Sequence, residues 1–171
     1  MAPMGTFEVA QDLEASTATL GGQSLVFHCH FYNCALQAAV EEALGDDAAD
    51  IQRAAAHSVV RAQLLALTKG QATDARLATA SKLFAELGFG TLDLTGLGPR
   101  GGRATVKASH YAMGWVAIYG EREAPTCNFV EGFVAAALGE AFGIASERVR
   151  VREVGCFACG AETCDFDVEV L

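Results

Sequence analysis

An α+β fold, with helices packed on one face of an antiparallel sheet, is what this sequence predicts. Three observations carry that expectation. Helical spacing of apolar residues dominates up to residue 88, alternation takes over beyond it, and one further helical segment lies among the later strands. Helices first and strands afterwards is the order of an α+β chain, because a parallel α/β sheet would interleave them from the start. The expected organisation is a single domain over residues 1–171, with a helical part at 1–88 and a sheet part at 89–171.

The elements follow in order. Residues 6–27 are weakly patterned, with Thr6-Phe-Glu-Val9 as a candidate strand and Gly21-Gly22 as a turn. From Phe31 to Leu44 the spacing is helical. Tyr32, Leu36, Ala39, Val40 and Ala43 share a face, and Gly45 is placed to terminate it. Asp46-Asp47 opens a second helix with carboxylates at its positive end. Ile51, Ala54, Ala55, Val59, Ala62, Leu65 and Ala66 recur along it as the expected buried stripe, up to Lys69-Gly70. Thr73 or Asp74 is expected to cap a third helix, which runs through Leu77, Ala80, Leu83, Phe84 and Leu87 to Gly88.

The period then changes. Thr91–Leu94 and Arg103–Ala108 alternate like half-buried strands, joined by the glycine-rich turn Gly96–Gly102. Met113–Tyr119 is apolar throughout, so periodicity does not decide between helix and strand. Cys127–Phe142 is helical, with Phe129, Phe133, Val134, Ala137, Leu138 and Ala141 inward and Gly143 closing it. Val149–Val154 and Cys164–Val170 are the last strands. Arg148, Arg150 and Arg152 alternate as a solvent face.

Composition narrows the function. Hydrophobic residues make up 51% and charged residues 19%, which permits a sizeable core and leaves little for disorder. The net charge of -9, with scattered basic residues, argues against binding a phosphate backbone. No apolar run is long enough to span a bilayer, and Met1-Ala-Pro-Met-Gly5 lacks the basic and apolar regions of a secretory signal. The expectation is a soluble cytoplasmic protein. There, six cysteines suit metal or redox chemistry better than disulfides.

The cysteines concentrate at the C-terminus, in Glu153-Val-Gly-Cys156-Phe-Ala-Cys159-Gly-Ala-Glu-Thr-Cys164. Cys127 stands at the head of the helical segment upstream. Thiolate and carboxylate are zinc ligands, and a structural site needs four of them. Two closed sets are possible: Cys127, Cys156 and Cys164 with Glu153, or the same three with Cys159. Either would staple the terminal hairpin to a helix. Four thiolates would also suit an iron–sulfur cluster. Free cysteine also serves as a small buried apolar residue.

At these residues a resemblance becomes specific. Gly120–Gly143, then Arg152-Glu-Val-Gly-Cys156, then Gly160-Ala-Glu-Thr-Cys164-Asp-Phe166 resemble the 4-vinyl-reductase-type, hydrocarbon-binding domain. That domain also forms the sensory module of phenol-responsive transcriptional activators. Its wider fold is shared with haem NO sensors and trafficking-complex subunits. The resemblance is tight over residues 103–171 and loose over the N-terminal helices. In the phenol-sensor branch one Cys at a helix head, one Glu and two Cys around the final turn hold zinc. Residue by residue these positions match Cys127, Glu153, Cys156 and Cys164, with a somewhat longer segment between the first two here. Cys159 is an extra thiol. The resemblance further implies a ligand pocket between sheet and helices, and a homodimer formed through N-terminal elements.

Two other groups are candidate ligand contacts. One is Phe27-His28-Cys29-His30-Phe31-Tyr32-Asn33-Cys34, in which His28, His30 and Tyr32 could face a pocket, a second metal or a haem. The other is His110, Tyr111 and Trp115, a set suited to an aromatic or tetrapyrrole ligand. A helix start and an ordinary core would explain the same residues. No dinucleotide fingerprint, phosphate loop or nucleophile elbow is present. The resulting expectation is a module that binds or senses a small hydrophobic, aromatic or tetrapyrrole-like molecule and carries a structural zinc. The alternatives are an enzyme or accessory protein of tetrapyrrole vinyl reduction, and a metal or haem redox sensor.

Overall fold

A computed structural model describes residues 9–20, 23–26 and 29–171. It is an α+β structure with antiparallel sheets. Ahead of the helices stands a small three-stranded meander, β1 (Val9–Asp12), β2 (Thr17–Leu20) and β3 (Gln23–Leu25). The sequence shows this meander only faintly, because its strands are short and β1 is exposed along its whole length. The candidate strand Thr6–Val9 falls mostly outside the described residues.

Three helices follow: α1 (His30–Leu44), α2 (Asp47–Leu67) and α3 (Thr73–Glu86). Gly45, at φ 55°, closes α1 as expected. At the start of α3 the cap differs from expectation. Ala72 occupies the N-cap, and neither Thr73 nor Asp74 supplies a capping hydrogen bond to it.

The stripe expected to be buried on α2 is also corrected. Ala48, Ala56, Val60 and Leu64 face inward, whereas Ile51, Val59 and Leu65 are exposed. The helix is apolar on more than one face, so period alone could not choose the buried one. On α1 the correction is similar. Cys34 and Gln37 are buried, and the expected core residues Tyr32 and Leu36 are about half exposed, at 50% and 51%.

The second sheet holds β4 (Thr91–Asp93), β5 (Leu97–Gly98), β6 (Gly101–Lys107), β7 (Val149–Gly155) and β8 (Cys164–Val170). Its order is β4-β6-β8-β7, with β5 also paired to β6. The segment left open by periodicity is a helix, α4 (His110–Tyr119), capped by Ser109, whose side chain accepts from Ala112 N. The central element is α5 (Asn128–Phe142), with Cys127 at its N-cap and Gly143 in the left-handed conformation at its end. Phe133, Val134 and Leu138 of α5 pack with Leu83 and Phe84 of α3 and with Val106, Phe166 and Val168 of the sheet in the main core. Among the described residues no helix is long and apolar enough to cross a membrane.

A bulge interrupts the β7–β8 ladder. Glu153 pairs with Phe166 and Gly155 with Asp165, which leaves Val154 as the extra residue. In a regular strand, residues three apart point to opposite faces. One added residue restores the parity. Glu153 and Cys156 are both buried, and Val154 is turned out to solvent.

Candidate metal centre and ligand cavity

Cys127, Glu153, Cys156 and Cys164 come together at the junction of α5 with the terminal hairpin. One ligand atom from each lies within 4.8 Å of all the others, and all four residues are buried. Cys127 Sγ and Cys164 Sγ are 3.6 Å apart. Four thiolates at the usual zinc–sulfur length would stand about 3.8 Å from one another around a tetrahedral ion. The hairpin supplies its cysteines through a short 3₁₀ turn at 157–159. There Cys159 N and Ala161 N donate to Cys156 O, at 2.9 and 3.1 Å, and Gly160 adopts φ 88°. Phe157 N donates to Cys164 Sγ at 3.4 Å. Ser109 Oγ lies 3.3 Å from Cys127 Sγ, tying the cap of α4 to the same cluster.

Glu153 is held from two sides. Its Oε2 accepts from Cys127 N at 2.9 Å, and its backbone N donates to Glu131 Oε1 at 2.7 Å. Its Oε1 is buried with no hydrogen-bond partner. A carboxylate oxygen so placed is costly unless a proton or a cation meets it. The acid groups also crowd one another. Burial, then the neighbouring Cys156 thiolate, pushes the Glu153 carboxyl up to about 8. Hydrogen bonds from Cys127, then Cys164, hold the Cys156 thiol far below its ordinary value, while the bond to Cys156 drives Cys127 well above its own. With protons alone, the four groups cannot all ionise. A divalent cation at their centre would let them do so, and the donor set of three thiols, one carboxylate and an unpartnered oxygen fits such an ion.

Cys159 is exposed and lies outside this set. The two cysteines of the N-terminal cluster have structural contacts. Cys29 caps α1, its Sγ accepting from Tyr32 N at 3.3 Å, and buried Cys34 donates to Tyr111 O at 3.8 Å. His28 lies outside the described residues, and His30 is the first residue of α1.

The most apolar cavity, about 320 Å³, lies among the helices rather than against the sheet. Its walls come from α1 (Asn33, Leu36, Gln37, Val40), α2 (Gln52, Ala55, Ala56, Val59), Tyr111 and Phe129. Tyr111 is thus the one ligand candidate on this wall. It stacks 5.3 Å from Phe129, and burial pushes its phenol up to about 12, so it stays neutral. His110 and Tyr111 also line a neighbouring cavity with Phe89 and Leu25. Asn33 Nδ2 reaches His110 Nε2 at 3.2 Å at the boundary between the two spaces. Trp115 and Tyr32 line neither cavity. Trp115 instead stacks on Tyr119 and carries the Arg122 guanidinium 4.2 Å from its ring. Sequence reasoning did not find Gln37, Gln52 or Val59 as cavity residues. The available signal was the pair of glutamines on otherwise alanine-rich helix faces.

Residues 104–170 match the family model of the 4-vinyl-reductase domain, so the resemblance drawn from the C-terminal motifs holds over that segment. Among solved structures, the fold is similar to the phenol-responsive sensory domain of the transcription activator PoxR, determined with phenol. The TM-score is 0.75 at 19% identity, covering 95% of this chain and 84% of that one. It is also similar to a vinyl-4-reductase family protein from Methanocaldococcus jannaschii, with a TM-score of 0.50 at 22% identity over 68% of each chain. At these identities the likeness is one of fold. No curated protein matches the sequence.

Proposed function

We propose that this chain is a small-molecule binding or sensing module that takes a neutral, largely apolar ligand in the cavity between α1, α2, α4 and α5. The observation that carries this reading is the cavity itself: about 320 Å³, apolar, with amide and phenol groups as its only polar lining among the described residues. That combination is the usual make-up of a small-molecule site. The PoxR domain, with phenol bound, has the same fold and adds support.

The metal in this reading is zinc, held by Cys127, Glu153, Cys156 and Cys164, and its role is structural. A ligand set closed by four protein groups leaves no position for a reacting water. When bound, the ion would neutralise three thiolates and a carboxylate and join α5 to the β7–β8 hairpin. All six cysteines are free, as suits the reducing cytoplasm. The exposed apolar residues Leu36, Ile51, Val59 and Leu65 support pairing of two copies across α1 and α2, next to the cavity mouth.

A thermal-shift screen of neutral aromatic molecules tests the ligand reading, because a compound that binds only the folded state raises its melting temperature. At least one should stabilise the protein, and Ala55→Phe, which fills the cavity, should abolish the shift. Binding that survives Ala55→Phe would place the ligand elsewhere.

A further inference from the structure

We propose that Gln52 is the specificity-determining donor of the helical cavity, and that its ligand is a neutral ring compound with an oxygen that accepts a hydrogen bond and donates none, as a ketone does. The inference rests on the cavity reading above and names the ligand's polar group.

Gln52 stands on α2 in the cavity wall. Its Oε1 accepts from Asn128 Nδ2 at 3.2 Å, which fixes the orientation of the amide. The opposite end, Nε2, is buried and has no partner. The other glutamine of the wall is spent: Gln37 Nε2 donates to Thr126 O at 2.8 Å and to Glu41 Oε1 at 2.9 Å. Asn33 is engaged with His110. The Gln52 amide therefore holds an unused donor beside an apolar space. A buried N–H without an acceptor is costly, and a ligand oxygen that reached it would recover that cost on binding.

The same geometry selects the kind of oxygen. No charged side chain lines the cavity among the described residues, so neither a carboxylate nor an ammonium would find a counter-charge there. A hydroxyl would bring a proton of its own, and the Gln52 oxygen is already occupied by Asn128. A carbonyl brings only lone pairs. A volume near 320 Å³ suits a single substituted ring better than a tetrapyrrole.

Calorimetric titration of the purified full chain with three probes tests this. They are acetophenone, α-methylstyrene (in which a methylene group replaces the oxygen) and 1-phenylethanol. The ratio of acetophenone to α-methylstyrene affinity should fall about tenfold on Gln52→Met, as expected for the loss of one hydrogen bond with desolvation cancelling between variants. Gln52→Glu, which replaces the donor by an acceptor, should lower acetophenone affinity at least as far and serves if Gln52→Met folds poorly. An unchanged ratio in a folded variant overturns the role of Gln52 while leaving the cavity reading intact. Equal binding of 1-phenylethanol and acetophenone to the unaltered protein overturns the ketone class. If none of the three binds, the cavity reading falls with the proposal.

Discussion

Glu131 Oε1 accepts a hydrogen bond from the backbone N–H of Glu153 at 2.7 Å, joining the first turn of α5 to the open edge of β7. The other oxygen of Glu131 pairs with Arg53 of α2 at 2.6 Å. One buried carboxylate thus ties the helix that walls the cavity to the strand that presents a candidate metal ligand. It also occupies a main-chain donor on an edge strand, where an unpaired group invites wrong pairing.

Replacing Glu131 should therefore affect two readouts. Glu131→Ala strands the Glu153 N–H and a half-buried Arg53, at a cost of about 3 kcal/mol in chemical denaturation. Glu131→Gln keeps an acceptor for Glu153 and should cost about 1 kcal/mol. Because Glu153 loses its anchor, zinc affinity measured against a chelator should drop about tenfold or more in Glu131→Ala. Unchanged zinc affinity would leave Glu131 a purely structural residue.

The four-residue cluster predicts which cysteines matter. Elemental analysis should find about one zinc per chain. Cys156→Ser and Cys164→Ser should lose the metal and much of the stability, because metal binding and folding are coupled. Cys159→Ser should keep both, since Cys159 is exposed and outside the cluster. The reverse pattern, with Glu153→Gln harmless, would establish the all-cysteine set instead.

The raised Glu153 carboxyl gives the metal-free protein a pH signature. Its folded value, about 8, lies above the ordinary 4.5. Between these limits the folded state holds a proton that the unfolded state has released, so stability falls as pH rises. Denaturation of chelated protein should show that decline between about pH 4.5 and 8, and Glu153→Gln should flatten it. With metal bound the trend should reverse over the same window, because protons compete with the ion for its ligands.

Gly132 marks the closest approach of α2 and α5. A Cβ at this position would lie 2.3 Å from Arg53 O and 2.9 Å from Ala56 Cβ. Backbone cannot yield as a flexible side chain can. Gly132→Ala should therefore cost about 1–3 kcal/mol despite the better helix propensity of alanine, as read from denaturation midpoints.

Much of this architecture was legible in the sequence because its signals are local. β8 was readable to the residue: Cys164, Phe166 and Val168 alternate inward against acidic neighbours. So was α5, between a cysteine N-cap and Gly143. The four metal-site candidates stood out because soft ligands are rare and these lie in two short segments. The cavity was not legible. Its wall is built from α1, α2, α4 and α5, and α2 carries apolar residues on both its buried and its exposed sides.

The sequence by itself determined the ligand chemistry available at the C-terminus, the alternation of the last strands and the helical order of the N-terminal half, since each depends on near neighbours. Only the tertiary structure decided between Glu153 and Cys159 as neighbour of the three buried thiols. The choice turns on one bulged residue, Val154. Strand parity would set Glu153 and Cys156 on opposite faces, and a single extra residue brings them to the same side. The packing of α2 on α5, close enough to require Gly132, likewise selected which of two apolar stripes became core and which was left facing the cavity and solvent.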